Sequence, residues 1–299
     1  MRPPRHLCRN DPRREDLLYL RCSPTPTQPC SRSNWRNSEI VWRYQGGCHH
    51  HLAVADDGTI LVLAREAHVV PRINPDHAVL EDFLVTLDPE GRELERISLL
   101  EALERSPYAP VMASSRMGDR GDLFHANSVQ ILDGTLADEI PAFERGNILT
   151  SFRRLDTIAV LDPRRGETTW TLQGMWLGQH QPTLLAGGDI LLFDNWGRAG
   201  ESQVIQFDPV TQEIAWRFTG DGEHPFYTGS GGACHRLPNG NTLITESDNG
   251  RALEVTPAGE VVWDYRNPER AGREGELVAT LFDVVRLPPD FPVGWLDPR

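Results

Sequence analysis

Three stretches decide the fold: IAVLDPRRGETTW at Ile158–Trp170, VIQFDPVTQEIAW at Val204–Trp216, and LEVTPAGEVVW at Leu253–Trp263. Each runs from an apolar alternation into an Asp-Pro or Thr-Pro turn and then into a second strand closed by tryptophan. The tryptophans stand 46 and 47 residues apart. A repeat of that length, made only of strands, is the sequence form of a four-stranded propeller blade. LVTLDPEGRELERI at Leu84–Ile97 repeats the hairpin without the tryptophan, and EIVW at Glu39–Trp42 supplies the last strand of an earlier copy. The spacing therefore predicts an all-β chain folded as a β-propeller of four-stranded antiparallel blades. Six blades are expected, the sixth formed when LVATLFDVVRL at Leu277–Leu287 joins N-terminal strands.

Residues 1–38 contain CSPTPTQPCSRSN and little apolar periodicity. They read as a poorly ordered, basic, Pro-rich segment, with the propeller domain over residues 39–299. ISLLEALERS, Ile97–Ser106, breaks the β pattern and reads as a brief helix or a loop.

All 30 basic residues are arginine. The absence of lysine excludes Schiff-base chemistry, pyridoxal phosphate attachment and a Walker lysine. Residues 1–43 hold nine arginines against four acids, whereas residues 44–299 hold 21 against 39. The body is a poor partner for phosphate backbones, so no nucleic-acid partner is expected. No apolar run reaches the ~18 residues of a membrane span and no signal-peptide core is present. As written the sequence points to the cytoplasm. The five cysteines form no CxxC pair and no disulfide framework. Cys48 and Cys234, each beside a histidine, read as buried small hydrophobes rather than nucleophiles.

A second element recurs: a histidine, a few residues, a Gly/Asn turn and a strand. His51 precedes DDGTILVL, His180 precedes AGGDILLF, His235 precedes PNGNTLIT, and His125 opens a longer version in FHANSVQIL. Because the first strand of every blade lines the central channel, equivalent positions of successive blades meet in space. Converging imidazoles suit three uses: structural hydrogen bonding, a metal site, or nucleophilic catalysis. Among these histidines no carboxylate stands where a metal needs one, and Arg198 of FDNWGRAG opposes a cation, so neither metal nor cofactor is expected. A neutral imidazole beside arginine suits transfer of a sulfate or phosphate group.

FHANSVQIL followed by SFRRLDTIAVLD, GQHQP followed eighteen residues after its histidine by the arginine of DNWGR, and CHRLPNGNTLITES resemble the bacterial aryl-sulfate sulfotransferases. Those are six-bladed propellers that do not use the nucleotide sulfate donor, and the resemblance spans roughly residues 39–290. It implies a ping-pong reaction in which a histidine takes the sulfuryl group of an aryl sulfate and passes it to a phenol. Carried over by motif, His235 matches the nucleophile and His125 the histidine that assists proton transfer. His180 and Arg198 match the sulfate-binding pair. Asn127 is expected to orient His125 or the substrate, or else to start a strand; Arg153, in Ser151-Phe152-Arg153, is expected to line the channel or to pair with a carboxylate. The partners implied are small aryl sulfates and phenols, and the resemblance favours a location outside the cytoplasm. Familiar members are longer and carry a disulfide near the nucleophile, where this chain has only Cys234.

Two rival readings accompany this one. A metal-dependent propeller hydrolase or lactonase would draw on Asp194, Asn195, Asp248 and Asn249, which follow blade strands; a binding propeller would need no chemistry. The sequence leaves donor, acceptor and oligomeric state open.

Overall fold

A computed structural model describes residues 18–21, 30–34, 39–114, 121–197, 201–289 and 291. The chain opens with a three-stranded antiparallel sheet, β1 (Leu18–Arg21), β2 (Cys30–Asn34) and β3 (Ile40–Tyr44). Four antiparallel four-stranded blades follow in chain order. Blade 1 holds β4 (Cys48–Val54), β5 (Ile60–His68), β6 (Val79–Leu87) and β7 (Glu93–Ser98), succeeded by a short helix α1 (Leu99–Glu104). Blade 2 holds β8 (Ala126–Ile131), β9 (Ile148–Phe152), β10 (Thr157–Asp162) and β11 (Glu167–Gln173). Blade 3 holds β12 (His180–Leu184), β13 (Ile190–Asp194), β14 (Gln203–Phe207) and β15 (Ile214–Phe218). Blade 4 holds β16 (Ala233–Arg236), β17 (Thr242–Glu246), β18 (Arg251–Val255) and β19 (Val261–Arg266).

The repeat has a visible cause. In the Asp-Pro turns the Asp carboxylate accepts backbone N–H groups two residues on: Asp88 from Glu90, Asp162 from Arg164, Asp208 from Val210. Proline fixes the next φ and the side chain closes the turn, which is why Asp-Pro recurs at the third-to-fourth strand connections of blades 1 to 3 and Thr-Pro, with the Thr256 hydroxyl accepting from Glu260 N, at that of blade 4. A bulge sits at the same place in all four blade hairpins, between Thr86 and Leu87, Val160 and Leu161, Gln206 and Phe207, and Glu254 and Val255. The extra residue strengthens the local twist that a blade requires.

Blades pack face to face through one apolar cluster per junction. Leu63, Leu84, Phe124 and Phe152 fill the junction of blades 1 and 2, and Trp176, Ile190, Phe207 and Leu149 that of blades 2 and 3. Phe193, Phe226, Ile244 and Leu253 join blades 3 and 4, while Cys30 and Trp42 of the first sheet pack on Val62 and Val85 of blade 1. Strands β13 and β17 are buried along their whole length, so they read as continuous rather than alternating apolar runs. Strands β4, β8, β12 and β16 are neighbours in that order and form the inner wall.

The expected six blades are corrected. The described residues contain four complete blades and the three-stranded sheet. The stretch expected to close a sixth supplies only a two-residue strand, β21 (Leu277–Val278), paired with β20 (Arg270–Ala271). Beyond it Leu281 N donates to the Ser247 carbonyl and Val284 N to the Thr245 hydroxyl. Bonds to the residue just past β17 and to a side chain do not extend a ladder, so this segment lies against blade 4 as a strap. Strands β1 and β2 arise inside residues 1–38, so the boundary at residue 38 crosses a sheet. At Ile97–Ser106 the helix is α1, its first turn capped by the Ser98 hydroxyl, which accepts from Glu101 N. Among the described residues no helix is long and apolar enough to cross a membrane.

Candidate functional site

The inner strands do not run regularly where they face the channel. In β4, Cys48 pairs with Ala64 and Leu52 with Val62, leaving three histidines opposite a single residue. In β8, Asn127 and Ser128 bulge between the pairs Ala126–Phe152 and Val129–Thr150. In β12, Gln181 and Pro182 bulge between His180–Phe193 and Thr183–Leu191. Left-handed backbone occurs at the same level: φ is 55° at His50, 52° at His125 and 47° at Gln181. Blade 4 meets the same requirement with Gly231 at 67° and Gly232 at 104°. Each non-glycine residue in that region costs on the order of 1–3 kcal/mol, and such strain gathers where side chains are aimed at a ligand.

All five of those residues line a cavity of about 330 Å³, a volume typical of small-ligand sites. His51, Arg65, Asn127, Arg153, His180 and Ser230 complete most of its wall, and Phe282 and Asp283 arrive from the C-terminal strap. Of the residues singled out in the sequence, His125, His180, Asn127 and Arg153 are brought together here. His235 is not among the lining residues, and Arg198 lies outside the described residues.

The displacement of His235 follows from register. His180 pairs with Phe193, the fourth residue of β13, whereas His235 pairs with Leu243, the second of β17. The ladder counterpart of His180 in blade 4 is Ala233, and that of His235 in blade 3 is Thr183. The sequence held the signal: His180 precedes the turn glycine Gly188 by eight residues and His235 precedes Gly240 by five. His235 Nε2 lies 2.7 Å from Asp283 Oδ1. Burial opposes its protonation, but the Asp283 carboxylate outweighs burial and raises its pKa above the ordinary value.

Obligate partners fix the ring tautomers. Asn195 Nδ2 donates to the Thr228 and Gly231 carbonyls, so its Oδ1 must accept. His180 Nδ1, 2.6 Å from that oxygen, therefore carries the proton and Nε2 keeps its lone pair. Burial, and then the charge of Arg153, push the His180 pKa down to about 3, so the ring is neutral at physiological pH. The Val129 N–H donates to His51 Nδ1 at 3.0 Å, which leaves the proton of that ring on Nε2. His125 Nδ1 lies 2.5 Å from Asp122 Oδ2, an arrangement that orients the ring.

Two guanidinium groups reach the wall. Arg65 donates through Nε to Asp82 Oδ1 at 2.9 Å and lies 3.5 Å from Asp122. Arg153 is packed 4.8 Å from the Trp196 ring, donates to the Gly229 carbonyl and lines the cavity. Asn127 Nδ2 donates to the Gln179 carbonyl and ties blade 2 to blade 3. Its buried Oδ1 meets no donor among the described residues, and it makes no bond to His125. Arg65, His50 and Asp283 were missed in the sequence reading. Arg65 was detectable as a charge inside the apolar run ILVLAREAH of β5.

The oxygen donors weighed for a metal are otherwise engaged. Asp194 accepts from Leu177 N, Gly197 N and Gln203 Nε2. Asp248 holds the Gly229 and Ser230 N–H groups, and Asn249 donates to Glu246. Cys234 is buried between blades 3 and 4, where desolvation raises its thiol pKa.

A stability test follows from the buried imidazoles. Both His180 and His50 have pKa values lowered by burial, so the unfolded chain binds protons that the folded chain excludes. Stability is expected to be fully present above about pH 6.5 and to fall as pH drops toward 3, by up to about 1.4 kcal/mol per pH unit from His180, with His50 acting in the same direction. Urea denaturation between pH 7 and 4 should show a shallower decline for His180→Gln than for the wild type.

The profile of the arylsulfotransferase (ASST) family matches residues 34–268, most of the chain. No curated protein sequence matches. Among solved structures, a protein of unknown function from Bacteroides caccae is similar at 14% identity and a TM-score of 0.54, over 83% of this chain and 77% of that one. A catalytically inactive virginiamycin B lyase from Staphylococcus aureus, solved with quinupristin, is similar at 11% identity and a TM-score of 0.50, over 86% of this chain and 68% of that one. At these identities the likeness concerns the fold.

Proposed function

The chain belongs to the arylsulfotransferase family, and from that premise we propose that it moves a sulfuryl group from an aryl sulfate to a phenol through a sulfohistidine at His180. The observation that carries this reading is a neutral imidazole in the cavity wall, its Nδ1–H held by Asn195 and its Nε2 lone pair uncommitted by that bond, close enough to Arg153 to feel its charge. Nε2 attacks sulfur, the bond from sulfur to the aryl oxygen breaks, and the departing oxygen takes a proton from His125. Arg153, with the Nε2–H of His51, faces the negatively charged sulfuryl oxygens and holds them in line during transfer, while charge develops on the departing aryl oxygen. In the second half the phenol oxygen attacks sulfur and the S–N bond returns its electron pair to Nε2. Phe282 supplies an aromatic wall for the rings of donor and acceptor.

The motif resemblance gives the covalent role to His235 and sulfate binding to His180 and Arg198. The pairing of His235 with Asp283 favours a protonated ring at that position, and a protonated imidazole is no nucleophile. His235 is accordingly read as the clasp that holds the strap carrying Phe282.

The test is a rapid-mix experiment with a chromogenic aryl sulfate. A burst of phenol close to one equivalent per protein, followed by turnover only when a phenol acceptor is present, is the expected result. Phenol release with no burst and no response to acceptor would replace transfer with hydrolysis; no release at all would favour a binding propeller.

A further inference from the structure

Three histidines in a row make up the β4 bulge, two of which, His50 and His51, line the cavity, and the reaction above leaves His49 and His50 without a role. His49 is buried, with Nε2 3.1 Å from Asp82 Oδ1 and Nδ1 2.7 Å from His50 Nδ1. Asp82 is fully enclosed, and although burial opposes its ionisation, Arg65 and His49 hold it well below the usual carboxylate range. Although His49 Nε2 makes no hydrogen bond of regular geometry among the described residues, the charge of the Asp82 carboxylate 3.1 Å away draws the proton onto that nitrogen, so Nδ1 accepts and His50 Nδ1 donates. The lone pair of His50 is thereby fixed on Nε2, in a ring that lines the cavity. Burial and the neighbouring His49, His125, His180 and Arg65 disfavour a charge on His50, which keeps that lone pair unprotonated between turnovers.

We infer that Asp82, His49 and His50 form a second carboxylate–imidazole relay whose terminal base, His50, takes the proton of the acceptor phenol. The inference rests on the transferase reading and assigns its two half-reactions to different rings. As the phenol oxygen attacks the sulfuryl group, its proton passes to His50 Nε2, and the Nδ1 proton of His50 moves to His49 Nδ1. The positive charge then sits on His49, opposite Asp82, rather than in the cavity. Return of that proton through His50 to His125 restores the proton spent on the leaving group; the His50 and His125 rings are 4.9 Å apart between centroids. No outside proton source is consumed over a cycle. His50 is the catalytic residue of this relay, and His49 a positioning residue acting through it.

The experiment compares two acceptors, an ordinary phenol that is un-ionised at the assay pH and a polynitrated phenol already ionised there, in wild type, His50→Gln and His49→Gln. Amplitude of the donor burst reports folding and an intact nucleophile in each protein. General-base removal is expected to slow transfer to the un-ionised phenol by about 10²-fold, to leave transfer to the ionised phenol within about threefold, and to preserve burst amplitude. Equal losses with both acceptors, or no loss with either, would overturn the relay while leaving the transferase reading intact. A wild type without a burst would remove the reading and the relay together. His49→Gln guards against a purely local effect at the strained His50 backbone, since it alters the relay one ring away from the cavity.

Discussion

Replacement of His180 by alanine is expected to lower kcat for sulfuryl transfer by at least about 10³-fold, with no burst of phenol from the donor. The size of the effect follows from the role: without Nε2 there is no covalent acceptor, and the remaining groups bind sulfate without a bond-making partner. The fold should survive, because His180 is an inner-strand residue whose ring bonds one side chain, Asn195, and that amide also donates to two carbonyls. Matched urea midpoints for wild type and variant at pH 7 would separate lost chemistry from lost structure. If His180→Ala keeps its burst while His235→Ala loses it, the assignment moves to the histidine chosen by motif resemblance.

The second large effect is expected at Arg153. Its guanidinium is held against Trp196 and the Gly229 carbonyl, so it presents a fixed charge to the cavity. Arg153→Ala should reduce kcat/KM for the aryl sulfate by about 10²–10³-fold, since one preorganised donor at a developing charge is worth that much. Part of the loss should appear in KM, because the donor ester is anionic before reaction as well as during it. Arg153→Lys is expected to recover only a fraction, because an ammonium neither stacks on Trp196 nor offers a planar fork. The same substitution to alanine should raise the His180 pKa, since Arg153 is second only to burial in lowering it. Restored kcat/KM in Arg153→Lys would indicate that charge alone suffices at this position.

The repeat was readable because its cause is local. Asp-Pro and Thr-Pro turns close on their own side chains, and the following tryptophan marks the outer strand, so the hairpins at Trp170, Trp216 and Trp263 announce themselves without reference to the rest of the chain. The register of the inner strands is a different kind of fact. It depends on where β4, β8 and β12 bulge against their neighbours, and residue identity alone does not say that two residues will oppose one. That is why His125 and His180 line the cavity while His235, three residues nearer its turn than His180 is, meets it only through Asp283. Strands β1 and β2 escaped for a third reason. CSRSN of β2 buries serines, and its place in a sheet is set by Trp42 and by the apolar face of blade 1 rather than by its own pattern. Phe282 and Asp283 reach the site only because a strap crosses blade 4, a long-range outcome that no nearby sequence encodes.

The central claim is that His180 carries the sulfuryl group between donor and acceptor. Its most direct measurement is peptide mass mapping of protein quenched at alkaline pH after exposure to aryl sulfate without acceptor. The account predicts the added mass of one sulfuryl group, located on the imidazole of His180 and discharged when a phenol is supplied before the quench. An unmodified protein that has nonetheless released phenol, or a sulfuryl group on a different side chain, would contradict it.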